Sequence, residues 1–263
     1  MKFSKVSVVY FSASYTTQKI VRWIGQELKP SFEEYDITRK QIASDVFLDA
    51  NEVLIVGMPV YAGRIPQKVV NSLKRFKGND TPAILAVVYG NRDYEDALLE
   101  LKDIVEDNFF KVISAGAFIA RHSIFTPIAS SRPDAEDKEI IKAFAQKSLD
   151  LINKVTSITD VPSLEIKGNR PYRKPGQFPV FPTTDETCNQ CGKCARLCPA
   201  KAIPLDQPET TDTDKCWSCG RCLVICPQHS RAFRGEFYEE KLDFFMTHFS
   251  ERKEPELNYA LVK

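Results

Sequence analysis

The chain has 263 residues, 36 Lys and Arg against 35 Asp and Glu, 43% hydrophobic residues and 27% charged ones. That length predicts two domains, and the mixture is that of a globular protein with enough apolar surface for a core, which excludes a mainly disordered chain. A net charge of +1 gives no basic excess for nucleic acid or an anionic membrane surface, and no apolar run approaches the ~18 residues of a membrane span.

In chain order, residues 6–11 form a β-branched and aromatic run that reads as a first strand and not as a signal peptide. A loop rich in hydroxyls follows, with Ser12, Ser14, Thr16 and Thr17 just before a helix with apolar spacing over 17–28. Hydroxyls and backbone N–H groups at a helix N-terminus make a phosphate seat, and helix capping alone needs fewer of them. The loop holds neither the Gly-Lys-Ser/Thr of a P-loop nor a G-x-G-x-x-G. Strands are predicted at 33–36, 52–57, 83–89 and 112–119, with helices at 66–76, 94–105 and 135–155 between and after them. Strands alternating with helices predict a doubly wound parallel sheet whose ligand sits beyond the strand C-termini. Two further segments lie there: Pro59, Val60, Tyr61, Ala62 and Gly63 in one, Tyr89, Gly90, Asn91 and Tyr94 in the other. With the hydroxyl loop, their aromatics outline a site for a flat apolar ring attached to a phosphate.

Residues 162–182 hold five Pro, with Lys167, Arg170, Arg173 and Lys174 against only Glu165. This predicts an extended connector packed on the first domain and bearing a solvated basic strip. All eight Cys then lie between Cys188 and Cys226. They follow a large apolar domain with no export signal, so ligation is a stronger reading than a disulfide framework. The run Cys188-x2-Cys191-x2-Cys194-x3-Cys198-Pro199 recurs 28 residues later as Cys216-x2-Cys219-x2-Cys222-x3-Cys226-Pro227. Gly192 and Gly220 hold equivalent places, where the lack of a Cβ lets backbone amides turn towards sulfur. Zinc is the weaker alternative, because its sites use longer gaps and usually some His, and the nearest here is His229. Residues 236–249 read as an amphipathic helix, a lid over the second domain or the seam between the two. His122 follows the last predicted strand and is read as a hydrogen-bonded structural residue within reach of the site, while His229 is placed to tune a nearby metal centre.

The cysteine run resembles that of bacterial two-cluster ferredoxins. On that pattern Cys188, Cys191, Cys194 and Cys226 hold one 4Fe-4S cluster, and Cys198, Cys216, Cys219 and Cys222 the other. Ser12-x-Ser14-x-x-Thr17 is similar to the flavodoxin phosphate loop, over a resemblance that covers residues 1–157. It implies a flavodoxin-like five-stranded parallel sheet of order 2-1-3-4-5. It also implies FMN, with its phosphate on Ser12, Ser14, Thr16 and Thr17, Tyr15 as a further cofactor-binding residue of that loop, and its ring between Tyr61 and Tyr94. Tyr15 departs from the family, which usually has Gly there, and a Tyr is costly if that position needs φ > 0.

Gly90-Asn91-Arg92, Arg132-Pro133-Asp134 and the tail at 250–256 extend the similarity to fusions of a flavodoxin-like domain with a two-cluster ferredoxin domain. The organisation expected is a flavodoxin-like domain at 1–157, a connector at 158–182, a small α+β ferredoxin domain at 183–235, and a helix and tail at 236–263. The resemblance implies an electron-transfer flavo-iron-sulfur protein, cytoplasmic and from an anaerobe or similar setting, that exchanges electrons with a redox protein. The alternative is an FMN-dependent reductase of a quinone-like or unsaturated small molecule fed through the clusters. A third reading is a flavodoxin fold kept only for docking.

Overall fold

The computed structural model describes residues 3–155, 157–176 and 178–261. Strand β1 (Lys5–Tyr10) leads through the hydroxyl loop into α1 (Thr16–Leu28), which turns Thr17, Ile20, Val21, Ile24 and Leu28 inward. Strands β2 (Glu33–Asp36), β3 (Val46–Phe47) and β4 (Glu52–Pro59) follow. The helix expected over 66–76 is a 3-10 turn at Gln67–Val69 and a single helical turn, α2 (Val70–Leu73), before β5 (Phe76–Lys77). The Gln67 amide donates to the Ile65 carbonyl and to Glu100, which ties down the start of this segment. Strand β6 (Thr81–Tyr89), α3 (Ala97–Glu106), β7 (Phe110–Ile119) and α4 (Ala135–Lys154) complete the alternation. Asp134 caps α4 in a reciprocal capping box with Asp137.

The main sheet has the order β2-β1-β4-β6-β7-β8, where β8 is Glu256–Tyr259 from the C-terminal tail. Its first five strands are parallel and follow the expected order; β3 and β5 form a separate pair. Every residue of β6 is buried, as a strand covered on both faces requires. The sequence assigns no strand to the tail. In the structure β8 pairs antiparallel with β7 and covers its edge, so the first domain is completed by the far end of the chain.

The second domain contains two short helices, α5 (Lys193–Leu197) and α6 (Arg221–Ile225), one per cysteine motif. Its expected strands reduce to one antiparallel bridge between Thr183 and Ala232. Helix α7 (Glu236–Phe249) then crosses the seam. There Phe125 and Ile128 of the first domain, Val180 of the connector, Phe233 and Tyr238 form a second buried cluster, and the Phe125 and Phe245 rings lie 4.2 Å apart. No helix among the described residues is long and apolar enough to cross a membrane.

The connector packs on the first domain as expected, and Lys167, Arg170, Arg173 and Lys174 stay exposed along it. Asp96, at the start of α3, accepts from the amides of Asn169 (2.8 Å) and Arg173 (2.7 Å). Arg170 pairs with Asp103 at 2.6 Å, Lys167 with Asp93 at 3.2 Å, and Arg173 with Glu95. Three of the four exposed basic side chains thus also pair with carboxylates of the first domain.

Candidate functional site

The loops at the C-terminal ends of β1, β4 and β6 share one edge of the sheet, and the strand order reverses at β1 and β4. That is where an open α/β sheet offers its ligand crevice. The second domain sits over this edge.

The eight thiols gather in two fours. Cys198, Cys216, Cys219 and Cys222 ring one small void, and Cys188, Cys191, Cys194 and Cys226 ring another. Each four takes one Cys from the opposite motif, as the ferredoxin pattern implies. Among the described residues no three His, Cys, Asp or Glu side chains converge on a single-ion site. The thiols stand back around voids, which suits a four-iron cube better than one zinc ion. In both motifs the glycine after the second Cys caps its helix in the left-handed region, with Gly192 at φ 68° and Gly220 at φ 72°. The first void lies inward, with Cys219 buried; the second lies outward, with Cys191 exposed. His229 is exposed and does not border the outer void, although Gln228 and Ser230 on either side of it do.

Beside the inner void lies a cavity of 810 Å³. Of the residues expected to hold a ring, Val60, Tyr61, Ala62, Gly63, Tyr89 and Gly90 line it. The opposite wall belongs to other elements: Trp217 of the second cysteine motif, Phe178 of the connector, Phe245 of α7, and His122 with Phe125 after β7. Cys216 and Trp217 line both the cavity and the inner void. Gly90 packs so tightly on His122 that an added Cβ would come within 2.4 Å of the imidazole.

His122 accepts hydrogen bonds at Nδ1 from the backbone N–H groups of Ile124 (3.1 Å) and Phe125 (3.0 Å). The neutral ring therefore carries its proton on Nε2. Burial, helped by the Arg92 charge, lowers its pKa to about 4. Burial also pushes the Tyr61 hydroxyl well above its ordinary value, with Cys219 nearby adding to the effect.

Three expected ring contacts are not made. Tyr94 is buried away from the cavity and donates its hydroxyl to Glu256 at 2.6 Å, so it cannot cover a flavin face. Asn91 gives its side-chain N–H groups to the carbonyls of Phe249 (2.6 Å) and Glu251 (2.7 Å), fastening the end of α7. Pro59 ends β4 and also lies outside the cavity wall. Sequence reasoning missed Trp217, Phe178 and Phe245, whose aromatic character was visible but whose arrival here depends on domain docking.

The hydroxyl loop adjoins the cavity without lining it. Phe11, just before the loop, meets the Tyr61 ring edge-on at 6.2 Å and the Trp217 ring at 6.2 Å. Ser12 Oγ accepts from the Gln18 amide at 3.1 Å, and the Ser14 and Thr16 hydroxyls lie 3.3 Å apart. Tyr15 does adopt the left-handed backbone, at φ 67°, with a side chain 41% exposed. Its hydroxyl accepts from Arg221 of the second motif at 3.2 Å, and the guanidinium lies 4.9 Å over its ring. Arg221 also donates to the carbonyls of Ser12 and Ala13, each at 3.2 Å. A buried cation thus stands beside the loop, which suits a phosphate dianion, and the aromatic cavity next to it suits a flat ring; the residues present fit FMN.

Residues 187–230 match the 4Fe-4S dicluster domain family. Among solved structures, a flavodoxin from the domain Archaea is 13% identical, covers 57% of this chain and 99% of its own, and has a TM-score of 0.41. Flavodoxin 2 from Bacillus cereus is 14% identical over 56% of this chain and 99% of its own, with a TM-score of 0.42. The rubredoxin oxygen:oxidoreductase from the anaerobe Desulfovibrio gigas is 15% identical over 58% of this chain, which spans 37% of that protein, with a TM-score of 0.42. No curated protein matches the chain.

Proposed function

We propose, for a chain that joins a flavodoxin-like α/β domain to a 4Fe-4S dicluster domain, that it relays electrons between an outside donor, its two clusters and an FMN seated in the cavity. The observation that carries this reading is the shared wall: Cys216 and Trp217 border both the inner cluster void and the cavity. A centre in one is a single residue away from a centre in the other. Ser12, Ser14, Thr16, Thr17 and the amides opening α1 would hold the phosphate. The backbone of Val60, Ala62, Gly63 and Gly90 would hold the ring edge, with Tyr61 and Trp217 as its aromatic neighbours. When bound, FMN accepts electrons singly or in pairs, whereas each cluster passes one. The outer void, with Cys191 exposed, is the side from which a protein donor reaches the relay.

A second reading, reduction of a small quinone-like or unsaturated acceptor, is favoured by one feature. The second domain, the connector and Phe245 cover the cavity, so a small molecule reaches it more readily than a protein does. There His122 presents a proton on Nε2, and its neutral ring acts as a hydrogen-bond donor at neutral pH.

Anaerobic purification with iron and flavin analysis tests the relay. About eight iron per chain, from two four-iron clusters, together with one flavin is expected; eight iron without flavin would overturn the flavin half. Steady-state assays with quinones, nitro compounds and unsaturated acids then separate the two readings. No turnover with any of them, beside rapid exchange with ferredoxin, would remove the reductase.

A further inference from the structure

Each cluster void has one buried arginine in its wall, and the two are held alike. Arg221, 6% exposed, borders the inner void. Arg231, 3% exposed, borders the outer one. In both, the terminal guanidinium nitrogens are taken by oxygens. Arg221 donates to Ser12, Ala13 and Tyr15. Arg231 donates to the Thr211 hydroxyl at 2.5 Å, to the Thr210 carbonyl at 2.8 Å and to the Pro208 carbonyl. In both, Nε is buried and without a protein partner.

An unpaired N–H on a buried charge is costly, and native proteins seldom leave one without a reason. A cluster in each void would bring thiolate and sulfide acceptors to the arginine that borders it. The repeat argues against chance. The two arginines occupy different places relative to their motifs, Arg221 between Cys219 and Cys222 and Arg231 beyond Cys226, yet each borders a void and each has an Nε without a partner.

We propose that Arg221 and Arg231 are the side-chain donors that tune the inner and outer clusters, and that Arg221 links the inner cluster to the hydroxyl loop of the first domain. Hydrogen bonds to cluster sulfur stabilise the more negative, reduced form and raise the potential. Arg231 is anchored within the second domain and the connector. Arg221 is anchored only on 12–15 of the first domain, so the inner cluster feels that loop through one planar group. A guanidinium can grip the loop with its two ends and still present Nε–H to sulfur; an ammonium cannot do both. This also accounts for Tyr15, whose ring and hydroxyl hold the fork in place. The cluster half of the inference stands on the matched dicluster domain, and the loop half rests on the flavin reading.

The test is Arg221→Lys and Arg231→Lys in the full chain with clusters loaded and flavin removed, so that it does not depend on whether FMN binds. The readouts are iron content, the potential of each cluster from EPR-monitored redox titration, and exchangeable-proton couplings of the reduced clusters. R221K should retain its iron, lose an exchangeable coupling at the inner cluster, and favour that cluster's oxidised form by about tenfold, which is ~59 mV for one electron. The outer cluster should stay as it was. R231K should show the reverse. Unchanged potentials in both variants, or equal shifts of both clusters by either one, would overturn the inference. Should R221K lose iron, wild-type protein labelled with 15N only in the arginine guanidinium decides alone: no coupling from such a nitrogen to the reduced inner cluster refutes the donor.

Discussion

Lowering the pH tests the environment of His122 without altering a cluster ligand. In the folded chain its pKa is lowered from 6.5 to about 4, by burial first and then by Arg92. Protonation would also place a hydrogen on Nδ1, facing two backbone N–H groups that already donate to it. Between the two pKa values the unfolded chain binds more protons than the folded one, so stability rises with pH across this window. It is complete above about 6.5 and falls as the pH drops towards about 4. From these values the loss is about 0.8 kcal/mol at pH 6 and about 2 kcal/mol at pH 5, on the conversion of ~1.4 kcal/mol per unit. His122→Asn is the control, because its side-chain oxygen takes over the acceptor position and does not titrate. Urea midpoints of the two proteins, followed anaerobically by far-UV circular dichroism at pH 7.5, 6 and 5, give the difference directly. Cluster release on unfolding is common to both and largely cancels. The wild type should lose about 2 kcal/mol relative to the variant by pH 5; parallel pH profiles would refute the buried, doubly accepting imidazole.

Cys198→Ser should abolish the inner cluster and leave the outer one, lowering iron from about eight to about four per chain; loss of the outer EPR signal instead would show that each motif binds its own four. Glu100 receives both Arg64 Nε and Nη2 at 2.7 Å, along with the Ile65 amide at 3.1 Å and the Gln67 side chain at 2.7 Å. Its replacement by Ala leaves Arg64 buried without its carboxylate partner, so urea unfolding should show a loss of about 3–5 kcal/mol, and under 1 kcal/mol would mean that solvent reaches the pair. Gly192→Ala and Gly220→Ala share the left-handed cost of about 1–2 kcal/mol. Only at Gly220 would the new Cβ also meet the Ser123 carbonyl oxygen, at 2.6 Å, so thermal unfolding should cost G220A a further 1–3 kcal/mol or so. Equal losses would argue that the domains do not dock through this face.

The parts of the site that were legible share a physical feature: their chemistry is written in local spacing. Eight thiols at short fixed intervals have few ways to ring two voids, and β-branched runs with loops after them give a parallel sheet and its ligand edge. What escaped the sequence is what depends on contacts between distant segments. Glu256, which takes the Tyr94 hydroxyl, lies 162 residues away from it, so a tyrosine expected over a ring turns inward instead. Strand β8 spans only Glu256–Tyr259, too short a pattern to read without the β7 edge it completes. Tyr15 did leave a signal. A bulky residue in a left-handed position contradicts its local setting, and such contradictions gather where a distant partner gives something back. Here the partner is Arg221, 206 residues along the chain.

The duplicated motif explains how two like centres acquire an order. Gly192 and Gly220 share sequence context and backbone conformation, but what faces them differs. A Cβ on Gly192 would approach only the Arg196 side chain, which can swing aside, whereas Gly220 lies against the backbone of Ser123. The second motif is thus pressed onto the first domain, with Cys219 and Arg221 buried, while the first motif leaves Cys191 at the surface. Because the two fours exchange their last cysteine, neither centre can be displaced without its neighbour. The docking of α6 therefore sets the place of both at once: one against the cavity, the other towards solvent. On the proposed relay, an electron from a protein donor would meet the outer centre first, and a small molecule in the cavity would meet the inner end. On that proposal the spatial order of the two centres is set by which face of a repeat the first domain covers, not by any difference between the two ligand sets.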